Sequence, residues 1–476
     1  MNTIKDSYVY KMIESFILAL EKSIKNSFIY HLLTNEVNFE EKIDNSIIMK
    51  VIYAVIQFFR KIFRFIKLDK VFSNSIFKKT YIWLALLFAV VPFIPTMATV
   101  FGCIFVICSF ILNIMCTPNF KFRYTPVNIW VALFLLIYVV CACVSLIPMA
   151  SIKVLAVVGI YILMYFVVIN SIETRKQINT MIYVFVFGGL VVALYGIYQY
   201  LFGNTLATSW IDRELFEGMK TRVYSTFENP NVLAEYLLLV IPLCISVCIA
   251  SKKWSSRIVF GIIACILLVC LAVTFSRGSY IGILVAGVVF ALILNLRFIF
   301  LFIAGLVALP FVLPQSIISR FSSITNLGDS STQYRLSIWQ SSAEIIKDYW
   351  YKPIGQSTDV FKSVYPIYAQ NGVSAEHAHN WYLQNIVETG ILGFIVLIGI
   401  IYRFFQYIFN GIKKATNFAD KIILIGFASG LVGYMIEGIF DNVWYNYRVI
   451  LIFWIFIALA VRYKKFIDEE ERMLND

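Results

Sequence analysis

The sequence predicts an all-α integral membrane protein of about twelve spanning helices, counted at ~20 residues per span, with an amphipathic N-terminal arm and a large, partly helical external loop. Three observations carry this. Of the 476 residues, 60% are hydrophobic and only 14% charged; a soluble fold cannot hide that much apolar surface, whereas a polytopic protein has lipid as its solvent. From Tyr81 onward, apolar runs follow one another with short polar breaks between them. The basic residues collect in alternate breaks, as the positive-inside rule requires of membrane loops.

Residues 1–78 read differently from the rest. Lys5, Asp6, Lys11 and Glu14 interrupt the opening residues, so no h-region of a cleavable signal is present. Ile13, Phe16, Ile17 and Leu20 form one helical stripe. The stretch "IIMKVIYAVIQFFRKIFRFIKLDK" mixes Lys50, Arg60, Lys61, Arg64 and Lys67 with aromatics. That pattern predicts a helix lying in the membrane surface, since a span at 47–59 falls short of a bilayer. The same arm also suits docking to a partner.

Residues 79–476 form the polytopic domain, with spans near 81–94, 96–116, 127–147, 152–171, 180–202, 231–250, 258–275, 279–296, 298–314, 386–409, 422–440 and 447–463. Lys121/Arg123, Arg175/Lys176, Lys252/Lys253/Arg257, Arg297, Lys413/Lys414/Lys421 and Arg462/Lys464/Lys465 fall in alternate connections. Those connections and both termini are therefore expected in the cytoplasm of a cell-membrane protein. The opposite face receives the loop 203–230, the "FSRGS" turn, the loop 315–385 and "DNVWYNYR". The loop 315–385 is too long for a passive connector. Within it, "SSTQYRLSIWQSSAEIIKDYW" reads as a capped amphipathic helix with Leu336, Trp339, Ala343 and Ile346 on its stripe, ended by "KPIG".

The formal charge of +12 is explained by topology and by anionic headgroups, so no nucleic-acid partner is implied. The nine cysteines lie in or beside apolar runs, where free thiols act as small hydrophobes. Cys141 and Cys143 lack metal-site spacing.

Chemistry concentrates on the external face. Its arginines include Arg222, Arg277, Arg320, Arg335 and Arg448. Arg277 lies between two apolar helices, beside Gly278 and Gly282, which permit close backbone approach; its bland alternative is a snorkelling anchor. Arg335 opens an amphipathic helix, where the dipole disfavours a cation, so an anionic partner is expected. Guanidiniums suit bidentate phosphate contact. Two of the three histidines, His377 and His379, stand with Asn380 in "EHAHN". A lone histidine at a helix end is commonly structural; a pair beside Asn and Glu points to acid–base work. Their i, i+2 spacing, the lack of a third external His or Cys and the lack of any Asp-x-Asp argue against a metal, and no cofactor is implied. Asn229 and Asn231 flank Pro230, as a helix cap or a hydrogen-bonding rim for sugar hydroxyls. Glu437 falls inside a span with Asp441 and Asn442 near its outer end; pairing of Glu437 with Arg277 or Arg448 is expected. Arginines that neutralise a diphosphate, plus an imidazole that takes a proton from a hydroxyl, suit transfer from a lipid-linked phosphate donor.

"TFSRGSYIG", "YRLSIW", "AEIIKDYWYKPIG", "HAHNWYLQNIVETGILG" and "NPNVLAEYLLLVIP" resemble the O-antigen ligase and polymerase superfamily of bacterial polysaccharide assembly, over roughly residues 81–463. The resemblance implies a membrane glycosyltransferase taking glycan from an undecaprenyl-diphosphate-linked oligosaccharide on the external face, by a metal-independent, inverting route. The acceptor is another lipid-linked repeat in a polymerase, and a lipid core or other surface acceptor in a ligase. By that likeness Arg277 and Arg335 are diphosphate-binding, His379 activates the acceptor hydroxyl and His377 supports it. Arg222, Asn229, Asn231, Asn380 and Glu437 are expected to contact substrate. Membrane lipids and other polysaccharide-assembly proteins are the expected partners. A lipid-linked glycan flippase is the alternative of another class, but it calls for midplane charges and repeat symmetry, which the sequence lacks.

Overall fold

The computed structural model describes residues 46–72, 74–203, 222–312, 314–325, 330–370 and 372–475, with isolated residues elsewhere. The stripe expected at Ile13–Leu20 and most of the loop 203–230 lie outside the described residues. Among the described residues every regular element is helical. They run α1 (Ile47–Phe65), α2 (Leu68–Phe72), α3 (Thr80–Val90), α4 (Thr96–Cys116), α5 (Asn128–Cys143), α6 (Pro148–Ser171), α7 (Arg175–Phe202), α8 (Pro230–Ala250) and α9 (Trp254–Val273). They continue as α10 (Arg277–Leu294), α11 (Phe298–Val312), α12 (Gln315–Ser322), α13 (Ser330–Tyr349), α14 (Thr358–Tyr368), α15 (Trp381–Lys414), α16 (Phe418–Phe440) and α17 (Tyr447–Asn475).

Eight of these, α4, α6–α10, α15 and α16, are long and apolar enough to cross a membrane. Eighteen residues at ~1.5 Å each already match the ~30 Å hydrocarbon layer. The other four expected spans also coincide with helices, but α3, α5 and α11 are shorter, and α17 carries Arg448 near its start and a charged tail. The "FIP" break between the first two expected spans is a short 3-10 turn, Val91–Phe93, followed by Pro95 as the N-cap of α4. All nine cysteines are free thiols.

The interior is built on α8 and α16, whose apolar windows are 83% and 78% buried, against 33–56% for the other long helices. Small residues make this possible, because association inside lipid relies on close backbone approach. A Cβ on Gly282 of α10 would stand 2.7 Å from the Gly433 carbonyl of α16, and one on Gly430 would stand 3.2 Å from the Leu239 carbonyl of α8. These crossings carry the C-terminal end of α16 to the start of α10, where the polar site lies.

At the other end of α16, an ion-pair cluster ties the helices together. Arg175 opens α7 and donates to Asp420 at 2.9 Å and to Glu470 at 2.6 Å, above the ring of Tyr463. Arg462 donates to the Ile172 carbonyl at 2.9 Å and to Glu469 at 3.0 Å. On α1, Arg60 donates to the Pro118 and Ile114 carbonyls at 2.6 and 2.8 Å, closing the C-terminal end of α4. Ile48, Val55, Phe59 and Ile62 of the same helix remain exposed.

The segment 330–387 forms a small cap with its own apolar core of Ile338, Ile345, Ile354, Phe361, Tyr365 and Val387. The amphipathic helix expected there is α13, but its buried face is Ile338, Ser341, Ser342 and Ile345, and Ala343 is exposed. The buried face is the one that meets α15 and α14, and sequence reasoning did not foresee α14.

The "KPIG" break docks into a kink in α15. Gly390 has φ 67° in the left-handed region, and this interrupts the helix. The Val387 and Glu388 carbonyls are thereby released to accept from Ile354 and Gly355, both at 3.3 Å, while Ile391 N–H donates to the Trp350 carbonyl at 2.8 Å. A Cβ at Gly390 would also stand 3.2 Å from that carbonyl. Gly390→Ala is therefore expected to destabilise the cap by about 1–2 kcal/mol. A lowered melting temperature of the purified protein in detergent checks this; an unchanged one counts against the kink as a docking device.

Candidate active site

The turn between α9 and α10 gathers the cations. Phe275 sits at φ 54°, a left-handed conformation uncommon for a bulky residue. The turn aims two successive carbonyls outward. Thr274 O accepts from Arg222 Nε at 3.0 Å, and Phe275 O accepts from Arg320 Nε at 3.1 Å. Arg277 follows two residues later and donates from Nη1 to the Ser323 carbonyl at 3.3 Å. These three and Arg335 line one polar crevice with Asn231 and Glu437. Gly278 packs so tightly on Glu437 and Phe440 that no side chain fits there.

Four guanidiniums thus face two carboxyl-bearing residues, Glu437 and the neighbouring Asp441. Burial, with Arg320 and Arg335 close by, pushes Arg222 down to about 9. Crowded buried cations of this kind are relieved by an anion. The crevice holds about 30 Å³, close to the space of one water. A diphosphate therefore enters only when the arginine side chains part.

Asp441, the C-cap of α16, joins this crevice to the histidines. Its Oδ2 accepts from Asn231 Nδ2 at 2.7 Å and lies 3.8 Å from Arg335 Nη2. Its Oδ1 accepts from Asn442 N–H at 2.8 Å and bonds His379 Nδ1 at 3.0 Å. Burial alone would raise this carboxyl, but His379 and Arg335 hold it well below the usual carboxylate range. As an ionised acceptor it makes Nδ1 of His379 the protonated nitrogen and leaves Nε2 for other work. The His379 backbone is left-handed, φ 43°, and is held there by neighbours. Trp339 Nε1 donates to its carbonyl at 3.1 Å, one helical turn from Arg335 on α13. His379 N–H donates to His377 Nδ1 at 3.2 Å, and the two rings are 4.0 Å apart.

The structure therefore brings Arg277, Arg335, Arg222, Asn231 and Glu437 to one crevice and connects His379 to it through Asp441. Asn229 and Asn380 have other tasks. Asn229 caps α8 by accepting from Asn231 N–H at 2.8 Å. Asn380 caps α15 by accepting from Leu383 N–H at 2.9 Å, and it donates to the Ile439 carbonyl at 2.9 Å. Asn229 thus takes the helix-cap alternative, and Asn380 seats the start of α15. The expected Glu437–Arg448 pair does not form: Arg448 lies over the Phe227 ring and reaches the Pro92 carbonyl, while Glu437 accepts from Ser276 Oγ at 3.3 Å. Sequence reasoning gave no role to Arg320, and it did not identify Asp441 as the link. The signal available for Asp441 was its place at the outer end of an expected span.

It also found no third ligand for a metal. Asp441 supplies one: His377, His379 and Asp441 have ligand-type atoms within 4.8 Å of one another. Two of these atoms, His379 Nδ1 and Asp441 Oδ1, are already bonded to each other, and His377 Nδ1 is occupied by the His379 N–H. This geometry favours a hydrogen-bonded relay over a metal centre.

A family model described as O-antigen ligase matches residues 262–398. The matched segment runs from within α9 to within α15, so it contains Arg277, Arg320, Arg335 and both site histidines, while Arg222 and Asp441 lie outside it. The match supports, over that segment, the O-antigen ligase and polymerase superfamily and, at a coarse level, glycan transfer between a lipid-linked donor and an acceptor. No curated protein matches the chain.

Burial, with His379 beside it, pushes His377 down to about 3, so this imidazole is neutral in the folded protein near pH 7. The unfolded chain takes up that proton at about 6.5, so folded stability falls as pH drops from there toward 3. Asp441, held low, adds to the loss below about pH 4. The melting temperature is expected to fall between pH 7 and pH 5, and His377→Gln is expected to flatten that fall. Equal slopes for the two proteins would contradict a buried neutral imidazole at this position.

Proposed function

We propose that the protein transfers glycan from undecaprenyl diphosphate to a hydroxyl acceptor on the extracytoplasmic face, polymerising repeat units of a cell-surface polysaccharide. The observation that carries this reading is the double contact of Asp441, with His379 on one oxygen and Arg335 and Asn231 on the other. A cation cluster for a leaving diphosphate thus stands next to an oriented imidazole.

In the proposed step the acceptor oxygen attacks the anomeric carbon as its proton passes to Nε2 of His379. The bond from that carbon to the diphosphate oxygen breaks, and the diphosphate leaves with the electron pair. Arg277, Arg335, Arg222 and Arg320 neutralise it. Attack from the side opposite the leaving group inverts the anomeric centre. Asp441 stabilises the imidazolium that forms. No divalent ion is required, because the guanidiniums supply the charge stabilisation. The charged tail of α17 and the basic connections belong to the cytoplasmic side in this reading, and the twelve helices near the sequence-expected positions act as spans. The arm 1–78 is a separate interfacial unit outside the catalytic domain.

The alternative within the same chemistry is a ligase, which moves the glycan to a different surface acceptor. Reconstitution with purified undecaprenyl-diphosphate oligosaccharide separates the readings. Longer lipid-linked glycans mean polymerase, transfer to another acceptor means ligase, and translocation without covalent change means flippase.

His379→Ala is expected to lower turnover by about 10²–10⁴-fold while the protein still inserts in the membrane. Arg335→Lys is expected to lose most activity, since an ammonium lacks the planar fork. Wild-type turnover by either variant refutes the assigned role. Activity is also expected to survive exhaustive EDTA treatment; loss restored by a divalent ion would favour metal binding at His377, His379 and Asp441.

A further inference from the structure

A second cavity adjoins His377 and shares no lining residue with the arginine crevice. Its volume is about 280 Å³, near the lower end of the ~300–1,000 Å³ usual for ligand pockets. Its wall differs from the crevice in chemistry. Carboxamides from Gln384, Asn385, Asn442 and Asn446 alternate with the rings of Trp444 and Tyr445, and no Lys or Arg contributes. His377 forms part of the wall, and its ring lies 4.6 Å from Tyr445 and 4.0 Å from His379. Adjacent residues divide the two compartments: Asp441 serves the arginine side, and Asn442 lines this cavity.

Among the described residues, three donors in the wall are left over, on Asn385, Trp381 and Trp444. Asn385 is 2% exposed and Trp381 1%. Asn385 Nδ2 and Trp381 Nε1 are both buried without a hydrogen-bond partner. Orphaned buried donors are costly and call for an explanation. The neighbouring amide of Gln384 is fully engaged, accepting from Ala378 N–H at 2.7 Å and donating to Glu388 at 2.8 Å. These unsatisfied donors are available to a ligand that carries hydrogen-bond acceptors.

We infer that this cavity is the acceptor subsite and binds the terminal sugar of the acceptor glycan. An uncharged polyhydroxylated ring fits the lining: its hydroxyl oxygens accept from Asn385 and Trp381, its hydroxyl hydrogens donate to the remaining amide oxygens, and its apolar face meets an aromatic ring. A phosphate does not fit, because no Lys or Arg among the described residues lines the cavity. The arrangement delivers a sugar hydroxyl to the histidine pair from one side while the donor diphosphate lies on the other. This inference rests on the glycan-transfer reading above, and it adds where the acceptor binds and which groups recognise it.

The test uses the full-length protein in nanodiscs, with the crevice saturated by undecaprenyl diphosphate. The probe is the free repeat-unit oligosaccharide released from the donor by mild acid, which carries neither lipid nor phosphate. Wild-type protein is expected to bind it by saturation-transfer NMR, and Asn385→Leu is expected to weaken binding about tenfold, as one lost donor implies. In turnover assays the same variant raises KM for the acceptor about tenfold and leaves KM for the donor unchanged. Asn385→Asp keeps the size of the side chain and removes the donor, so it gives the same result even if the leucine variant misfolds. Absence of oligosaccharide binding, or binding and acceptor KM indifferent to both substitutions, overturns the subsite. Asn385-dependent binding by a protein that transfers no glycan upholds the subsite and overturns the functional reading.

Discussion

The arrangement depends on one buried carboxylate. A carboxylate taken out of water is costly unless its oxygens are bonded, and the two oxygens of Asp441 meet His379, Asn442, Asn231 and Arg335. Its backbone carbonyl accepts from Trp381 N–H at 3.1 Å, which seats the start of α15 on the end of α16. Four segments far apart in the chain therefore converge on a single residue. The carboxylate also gives each partner its state: it sets the tautomer of His379, it orients Asn231 toward Arg222, and it offers Arg335 a counter-charge that a diphosphate can replace.

Close packing in the bundle places that carboxylate. Gly278 and Gly282 allow α10 to lie against α16, and Gly430 allows α16 to lie against α8. The start of α10, the start of α8 and the end of α16 then meet at one height, and these three helix ends provide Arg277, Asn231 and Asp441. The cap is fixed separately, by the kink of α15 at Gly390 and the carbonyls it frees. Its role is to bring Arg335 and Trp339 of α13 over the histidines. Two backbone residues in left-handed conformations, Phe275 and His379, mark the places where this packing overrides local preference.

Much of this was legible in the sequence because membrane physics writes it in long apolar runs. Each expected span coincides with a helix, and the helix in the external loop stands at Ser330–Tyr349 as read. The histidine pair stood out because the chain has only three histidines, and the arginines because guanidiniums suit phosphate. The remainder depends on three-dimensional proximity. Nothing local in "FDNVW" identifies Asp441 as the partner of His379, 62 residues away. Arg320 carries no motif, and it joins the crevice only because the Phe275 carbonyl points toward it. The buried face of α13 is the one that meets α15 and α14, and α14 itself, with Pro366 inside, is too short and mixed to announce itself. Asn229 reads in the sequence as a helix cap or a sugar contact and Asn380 as a substrate contact; in the structure both engage helix ends, a common use of Asn at such positions.

The most direct test of the account is the turnover of Asp441→Asn at saturating donor, measured alongside binding of undecaprenyl diphosphate. An amide keeps the shape but permits the wrong tautomer of His379. The account predicts that turnover falls by about 10² or more while the diphosphate still binds. Turnover equal to wild type would show that Asp441 does not couple the arginine crevice to the imidazole, and would contradict the central claim.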